Sequence, residues 1–289
     1  MSISFRVGDM TIHRLIEMTL AERHATEFLP NLTWERLEAN RSWLQPAALN
    51  EQDWIVLCFQ SYVVVTPHHA ILVDSCLGNN KERLRHPYWH HKTDTVFMDA
   101  LSGVGLRVED IDYVLCTHLH VDHVGWNTRL ENGRWKPTFP NARYMFSSKE
   151  MAVWTPESGV EPPPHIQDSV LPIVAAGKAD MVASDHEISE HVRLMPTPGH
   201  TIDHFAVQLG RGGDQAVITG DLIHSPLQAR FPDLHMLLDL DKQKAVQTRR
   251  RFLERYCDSG TICCFSHFPS PSMGAVRRWG DGFRCDFIE

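Results

Sequence analysis

The chain of 289 residues is 43% hydrophobic and 22% charged, so it can bury a sizeable core and wholesale disorder is excluded. Its formal net charge of -8 and sequence pI near 6.1 leave no cationic footprint for nucleic acid or an anionic membrane, and neither is expected as a partner. No run of about 18 apolar residues predicts a transmembrane helix. Residues 1–15 show no apolar signal core, and the cysteines (Cys58, Cys76, Cys116, Cys257, Cys263, Cys264 and Cys285) form no CxxC pair. Together these point to reduced thiols and a cytoplasmic protein.

In chain order, residues 3–19 alternate as two short strands around Gly8 and Asp9, an edge hairpin. Residues 20–53 carry Pro30, Trp34, Trp43 and Pro46 without clean periodicity, which reads as a lid, a substrate-pocket segment or a packed surface loop. Trp54–Val65 and Ala70–Asp74 are β-branched runs across the turn-forming Thr66–His69 and predict paired strands. A helix is expected over Thr95–Val104, ended by Gly105. Asp112–Cys116 follows as an apolar strand.

Residues 156–172, with Pro156, Pro162, Pro163, Pro164 and Pro172, read as an ordered connection. Further strands are expected at Arg143–Phe146, Val192–Met195, Phe205–Leu209, Ala216–Thr219, Thr261–Phe265 and Phe283–Ile288. Asp241–Cys257 places Ala245, Val246, Arg249, Phe252, Leu253, Tyr256 and Cys257 along one side at helical spacing. The run Arg249, Arg250 and Arg251 within it reads as a solvated face. Without repeats or a low-complexity linker, residues 1–289 are expected to form a single domain of α/β class.

The chemistry concentrates in Thr117-His118-Leu119-His120-Val121-Asp122-His123, where four imidazole or carboxylate ligands occupy six positions at the end of a strand. Such donors suit a borderline divalent metal. Alternation aims His118 and His120 the same way, and a turn after His120 would aim Asp122 and His123 at a neighbouring position. Later strand ends offer His200 after Gly199, Asp221 after Gly220, and His267. Two adjacent metal sites are the economical reading, and a closed structural site is disfavoured because no cysteine lies in these motifs. His204 is a candidate to support His200, and Asp74 to support the metal loop by hydrogen bonds. His224 and Trp126 are candidates for the substrate pocket. Trp34, Trp43, Trp89 and Trp154 are better read as packing, and His68, His69, His90 and His91 as surface histidines.

Thr-His-Leu-His-Val-Asp-His-Val-Gly matches the HxHxDH signature, and the chain resembles the metallo-β-lactamase superfamily. The resemblance implies an αββα sandwich of two mixed sheets flanked by helices. It also implies one metal on His118, His120 and His200, a second on Asp122, His123 and His267, and Asp221 bridging. Gly220-Asp221-Leu222-Ile223-His224, Phe231-Pro232-Asp233 and Ser266-His267-Phe268-Pro269 resemble methyl parathion hydrolase and the N-acyl homoserine lactonase-like branch. The implied cofactors are two divalent ions, Zn2+ first, with Mn, Fe or Co also suited to these donors.

The expected reaction is attack by a metal-bridging hydroxide on an ester or lactone carbonyl of a small-molecule substrate, with Asp122 orienting the nucleophile and shuttling its proton. A phosphotriesterase is the nearest alternative. A mononuclear iron oxygenase on His118, His200 and Asp221, or a non-catalytic metal-binding protein, are alternatives of other classes. A homodimer is the assembly considered. An Asp at position 221 disfavours antibiotic hydrolysis, because the Cys-containing lactamase subclass has a thiol there.

Overall fold

The computed structural model describes residues 3–155 and 158–288; Pro156 lies outside them. Two compact units divide the chain: one holds the residues up to Met18 and Phe59–Ala183, the other Thr19–Cys58 and Ser184 onward.

The first unit is organised by a seven-stranded mixed sheet. Its strands are β1 (Ile3–Val7), β2 (Met10–His24), β3 (Trp54–Val65), β4 (Ala70–Val73), β5 (Tyr113–Leu115), and, after the two-stranded hairpin β6 (Thr128–Glu131) and β7 (Arg134–Pro137), β8 (Arg143–Ser147) and β9 (Ala179–Val182). The order across the sheet is β1-β2-β3-β4-β5-β8-β9. β1 and β2 form the expected edge hairpin, with Val7 paired to Met10. From β4 onward the neighbours run parallel. All four residues of β4, Ala-Ile-Leu-Val, are buried, as a parallel strand covered on both faces requires.

The helix Val96–Gly103 lies where expected and commits Phe97 and Leu101 to a core that also holds Leu72, Val114, Trp126, Tyr144 and Phe146. Shorter helices span Ser148–Ala152, Pro164–Ser169 and Leu171–Ala175. The last two give the proline-rich connection regular structure, because proline is tolerated in the first turn of a helix.

The second unit carries the other seven-stranded sheet, in sequential order: β10 (Glu187–Ser189), β11 (Val192–Pro196), β12 (Phe205–Leu209), β13 (Ala216–Ile218), β14 (Ile262–Cys264), β15 (Met273–Trp279) and β16 (Gly282–Phe287). Only β13 and β14 pair in parallel, with the helix Lys242–Tyr256 in the chain between them. That helix is capped by the Asp241 side chain on Lys244 N and buries Ala245, Arg249, Phe252, Leu253 and Tyr256.

Three sequence expectations are corrected. Residues 20–53 are not irregular: β2 runs on to His24, and helices span Ala25–Phe28 and Trp34–Leu44. The longer helix buries only Leu37, Asn40 and Leu44, too few apolar positions to print a helical period. β6, β7, β9, β10 and β15 were not foreseen, being short, polar or broken by charge. Arg249 is not part of a solvated face. It is 0% exposed, and its guanidinium donates to the carbonyls of Leu222 at 2.9 Å, Pro232 at 3.3 Å and Leu234.

Candidate metal centre

In the first unit, β5 delivers the chain into the metal-loop motif, and the backbone then turns, with His123 N donating to His120 O at 3.1 Å. Asp74 follows β4 at φ 58 and organises the loop as expected. It accepts from Thr117 N at 2.8 Å, Thr117 Oγ1 at 2.9 Å and His123 Nδ1 at 2.9 Å. The Thr117 hydroxyl has one proton and gives it to Asp74, so the 3.1 Å contact with His118 Nδ1 is donated by the imidazole. Both His118 and His123 therefore carry their proton on Nδ1 and turn an Nε2 lone pair outward, the tautomer a metal ligand needs.

Ring centroids of His118 and His120 are 4.5 Å apart, those of His118 and His123 4.1 Å. The candidate ligand atoms of His118 and His120 lie within 4.8 Å of one another, as do those of Asp122 and His123. Gly125 closes the loop against a second strand end. A Cβ there would meet the Leu77 carbonyl at 2.0 Å, so only glycine lets Gly125 N reach Cys76 O at 2.8 Å.

In the second unit, His200, Asp221 and His267 come from three different strand ends and meet. Gly199 sits at φ 138, where a Cβ would strike the backbone of Ala245 at 2.4 Å, and this close approach sets the path to His200. Asp221 presents Oδ2 to His200 Nε2 at 3.3 Å and Oδ1 to His267 Nε2 at 3.0 Å. Two ligands of one tetrahedral zinc, each bonded at about 2.0 Å, stand about 3.3 Å apart, so both spacings fit cations shared with Asp221.

The far nitrogens are fixed: His200 Nδ1 donates to Asp239 at 2.9 Å and His267 Nδ1 to the Cys58 carbonyl at 2.8 Å. His204 Nε2 accepts the Asp221 backbone N–H at 2.9 Å while its Nδ1 bonds Thr197 Oγ1 at 2.7 Å. It is thus a support for Asp221. The donor set fits divalent metal: imidazoles locked in the ligating tautomer, carboxylates between them, and no thiol.

His224 also belongs to this cluster. Its Nε2 lies 3.1 Å from Asp221 Oδ2, and its ring stacks parallel to His267 at 5.3 Å with Phe28 edge-on at 5.7 Å. Burial lowers its pKa. Burial also opposes a charge on His200, but Asp221 and Asp239 outweigh it and lift that imidazole to about 9. The carboxylates of this half-site thus call for a positive partner.

Trp126 is not a pocket residue: it is packed in the core of the first unit, stacked on Phe97 at 5.4 Å and donating from Nε1 to Glu17 at 2.7 Å. Two supports escaped sequence reasoning. Asp239, in Leu-Leu-Asp-Leu, and Glu17, inside a strand, are acidic residues amid apolar ones. That anomaly was the available signal, since a buried carboxylate needs partners.

A family profile described as the Metallo-beta-lactamase superfamily matches residues 59–267. An N-acyl homoserine lactonase of Bacillus cereus is 25% identical over 169 residues, 58% of this chain and 60% of that protein. A Beta-lactamase-like protein 2 homolog of Caenorhabditis elegans is 26% identical over 162 residues, 54% of this chain and 46% of its own. The alignment with the lactonase thus spans 60% of that relative's length. Among solved structures, the hydrolase AbOPH in the beta lactamase superfamily superposes with TM-score 0.83 at 23% identity, covering 100% of this chain and 97% of the other. AidC, a dizinc quorum-quenching lactonase in complex with a product, superposes with TM-score 0.81 at 20% identity, covering 100% and 98%. The two mixed sheets with their flanking helices are therefore the fold those structures share. With a profile match running from β3 to His267, and His118, His123, His200 and His267 each bonded at Nδ1 so that Nε2 is left for a metal, the chain belongs to the metallo-beta-lactamase superfamily.

Proposed function

We propose that this chain is a two-metal hydrolase that opens lactones or cleaves carboxylic esters, with zinc as its working ion. In this reading His118, His120 and His200 would hold one cation and Asp122, His123 and His267 the other, with Asp221 available to both. The observation that carries it is the division of Asp221: one oxygen faces His200 at 3.3 Å and the other His267 at 3.0 Å. A carboxylate shared between two imidazoles in this way is built to bridge. Bound cations at such a site acidify water and polarise a carbonyl oxygen.

The chain supplies the proton handling and the walls. Asp122 orients the attacking water, takes its proton and returns it to the alkoxide as the acyl C–O bond breaks. His224, neutral and buried, steadies Asp221 through its 3.1 Å contact. Phe28, edge-on to His224, supports a role for residues 20–53 in shaping the substrate pocket. The lactonase names of the relatives favour a cyclic ester over an acyclic one. The cysteines, all free, support work in a reducing compartment, the cytoplasm.

The test is elemental analysis of the purified protein followed by a substrate panel of N-acyl lactones, aryl esters and phosphotriesters. Two metals per chain with fastest turnover of a lactone is the expected result. One iron per chain, or preference for the phosphotriester, would overturn it. The Asp122→Asn variant is expected to lose at least a hundredfold in kcat, measured beside its metal content so that loss of the second ion is separated from loss of the base.

A further inference from the structure

A buried cation of the second unit stands behind its candidate ligands. Arg249, on the helix Lys242–Tyr256, is fully enclosed. Sealing a guanidinium from water is costly unless its N–H groups and its charge find partners, and a leucine would fill the space without that cost. Packing alone does not account for an arginine there.

The partners of Arg249 all lie in the segment 222–239, which begins one residue after Asp221 and ends at Asp239. Its Nε donates to the Leu222 carbonyl at 2.9 Å, and its Nη1 donates to the carbonyls of Pro232 at 3.3 Å and Leu234. Nη2 stands 3.6 Å from Asp239 Oδ2. That spacing is too long for a hydrogen bond, and the attraction across it is between opposite charges closed off from water. The Leu234 carbonyl also accepts Gln228 Nε2 at 3.2 Å, and Gln228 Oε1 accepts His224 N at 2.8 Å. Outside the helix Pro226–Arg230 the segment is mostly turn and irregular chain, so one guanidinium spans its two ends.

Both ends bear on metal chemistry. The Leu222 carbonyl belongs to the residue after Asp221, and holding it sets the path of the chain leaving that carboxylate. Asp239 is engaged through both oxygens: Oδ2 meets Met236 N at 2.8 Å and the charge of Arg249, while Oδ1 accepts from His200 Nδ1 at 2.9 Å. We infer that Arg249 is a positioning residue for the cation on His200: its charge fixes Asp239, and Asp239 in turn holds the His200 imidazole with Nε2 toward the metal. The inference rests on the two-metal reading above and adds a residue outside its ligand set. His267, whose Nδ1 donates to the Cys58 carbonyl at 2.8 Å, is bonded outside this chain of contacts and serves as the internal control.

The experiment measures stepwise zinc affinities by chelator competition, and the histidine Nδ1–H resonances by NMR with and without zinc, for wild type, Arg249→Gln and Arg249→Lys. Glutamine keeps a donor for a carbonyl and removes the charge, whereas lysine keeps the charge. Arg249→Gln is expected to weaken one of the two metals about 10–100-fold and to move the His200 Nδ1–H signal while that of His267 stays in place. Arg249→Lys should recover most of the affinity and the His200 signal. Equal losses in the two variants, both metals weakened together, or a His200 signal indifferent to Arg249→Gln would mean that the arginine only packs the segment, and would overturn the inference. Should Arg249→Gln alone fail to fold, it is combined with Asp239→Asn, which removes both buried charges together. A double variant that binds zinc within about twofold of Asp239→Asn alone supports the inference, and any larger further loss sinks it. A wild type without two metals fails the two-metal reading on its own account, and the His200 signal of the metal-free protein still judges Arg249.

Discussion

Single residues around the centre act mainly by fixing imidazoles. Asp239 shows this: Oδ1 accepts from His200 Nδ1 at 2.9 Å, while Oδ2 accepts from Met236 N at 2.8 Å and faces Arg249 at 3.6 Å. Asp239→Asn keeps the shape but removes the charge that orients and enriches the imidazole. Outer partners of this kind are worth about 10–100-fold in metal affinity. A competition titration against a chelator should show a loss of that size at one of the two metals; full retention at both would refute the role. Lys81 is a residue of a different kind. It is 0% exposed, bonded to Thr128 Oγ1 at 2.6 Å, 3.7 Å over the Trp135 ring and 3.5 Å from Asp168.

Burial, reinforced by Arg83, outweighs Asp168 and brings the Lys81 ammonium down to about 7. An amine with a depressed folded-state pKa binds fewer protons folded than unfolded between that value and about 10.4. Its contribution to stability is then least favourable below pH 7 and improves as pH rises. Urea unfolding at pH 7 and pH 9.5 should show wild type gaining on Lys81→Met by up to about 3 kcal/mol. A pH-independent difference between the two proteins would contradict this.

At the scale of elements, two glycines separate conformational cost from steric cost. Gly133 follows Asn132 in the β6–β7 turn, with φ 73 and 52, and a Cβ on Gly133 would meet nothing within 4 Å. Gly133→Ala should therefore cost only the left-handed backbone penalty, about 1–2 kcal/mol. Gly125 closes the metal loop, and there a Cβ would stand 2.0 Å from the Leu77 carbonyl. Gly125→Ala must push two backbones apart, so it should lose metal as well as several kcal/mol. Thermal melts and metal content on the two variants check the contrast.

The same elements show where the sequence was legible. β3 and β12 have the expected bounds, because apolar β-branched runs ended by turn residues carry their own signal. The Asn-Gly turn of β6–β7 was equally available, but the charges flanking it masked the pattern. The helix Trp34–Leu44 printed no apolar stripe, since its outward Trp34 and Trp43 are 55% and 37% exposed and only three of its residues are buried.

For the molecule as a whole, metal and stability should be linked. Anything that binds the folded chain and not the unfolded one stabilises it by mass action. Chelation also removes the cations that would balance Asp221 and Asp239 beside His200, His267 and Arg249. A melt in excess chelator should therefore show a lower Tm, and zinc added back should restore it. A Tm indifferent to both would argue against resident metal.

The sequence by itself determined the family, the candidate ligand types and their place at strand ends. Ligand chemistry is local: His-x-His-x-Asp-His after an apolar strand states it in six residues. It also pointed to Asp74 as a support, since Asp at the end of a buried strand needs donors. Only the tertiary structure decided that His118, His123, His200 and His267 are bonded at Nδ1 and leave Nε2 for a metal, that Asp239 and Glu17 are buried supports, and that His204 serves Asp221. It also placed Trp126, a pocket candidate, and Arg249, read as part of a solvated face, in the interior. Those facts depend on what stands opposite a side chain, often a residue a hundred positions away, and no local pattern encodes the partner of a hydrogen bond.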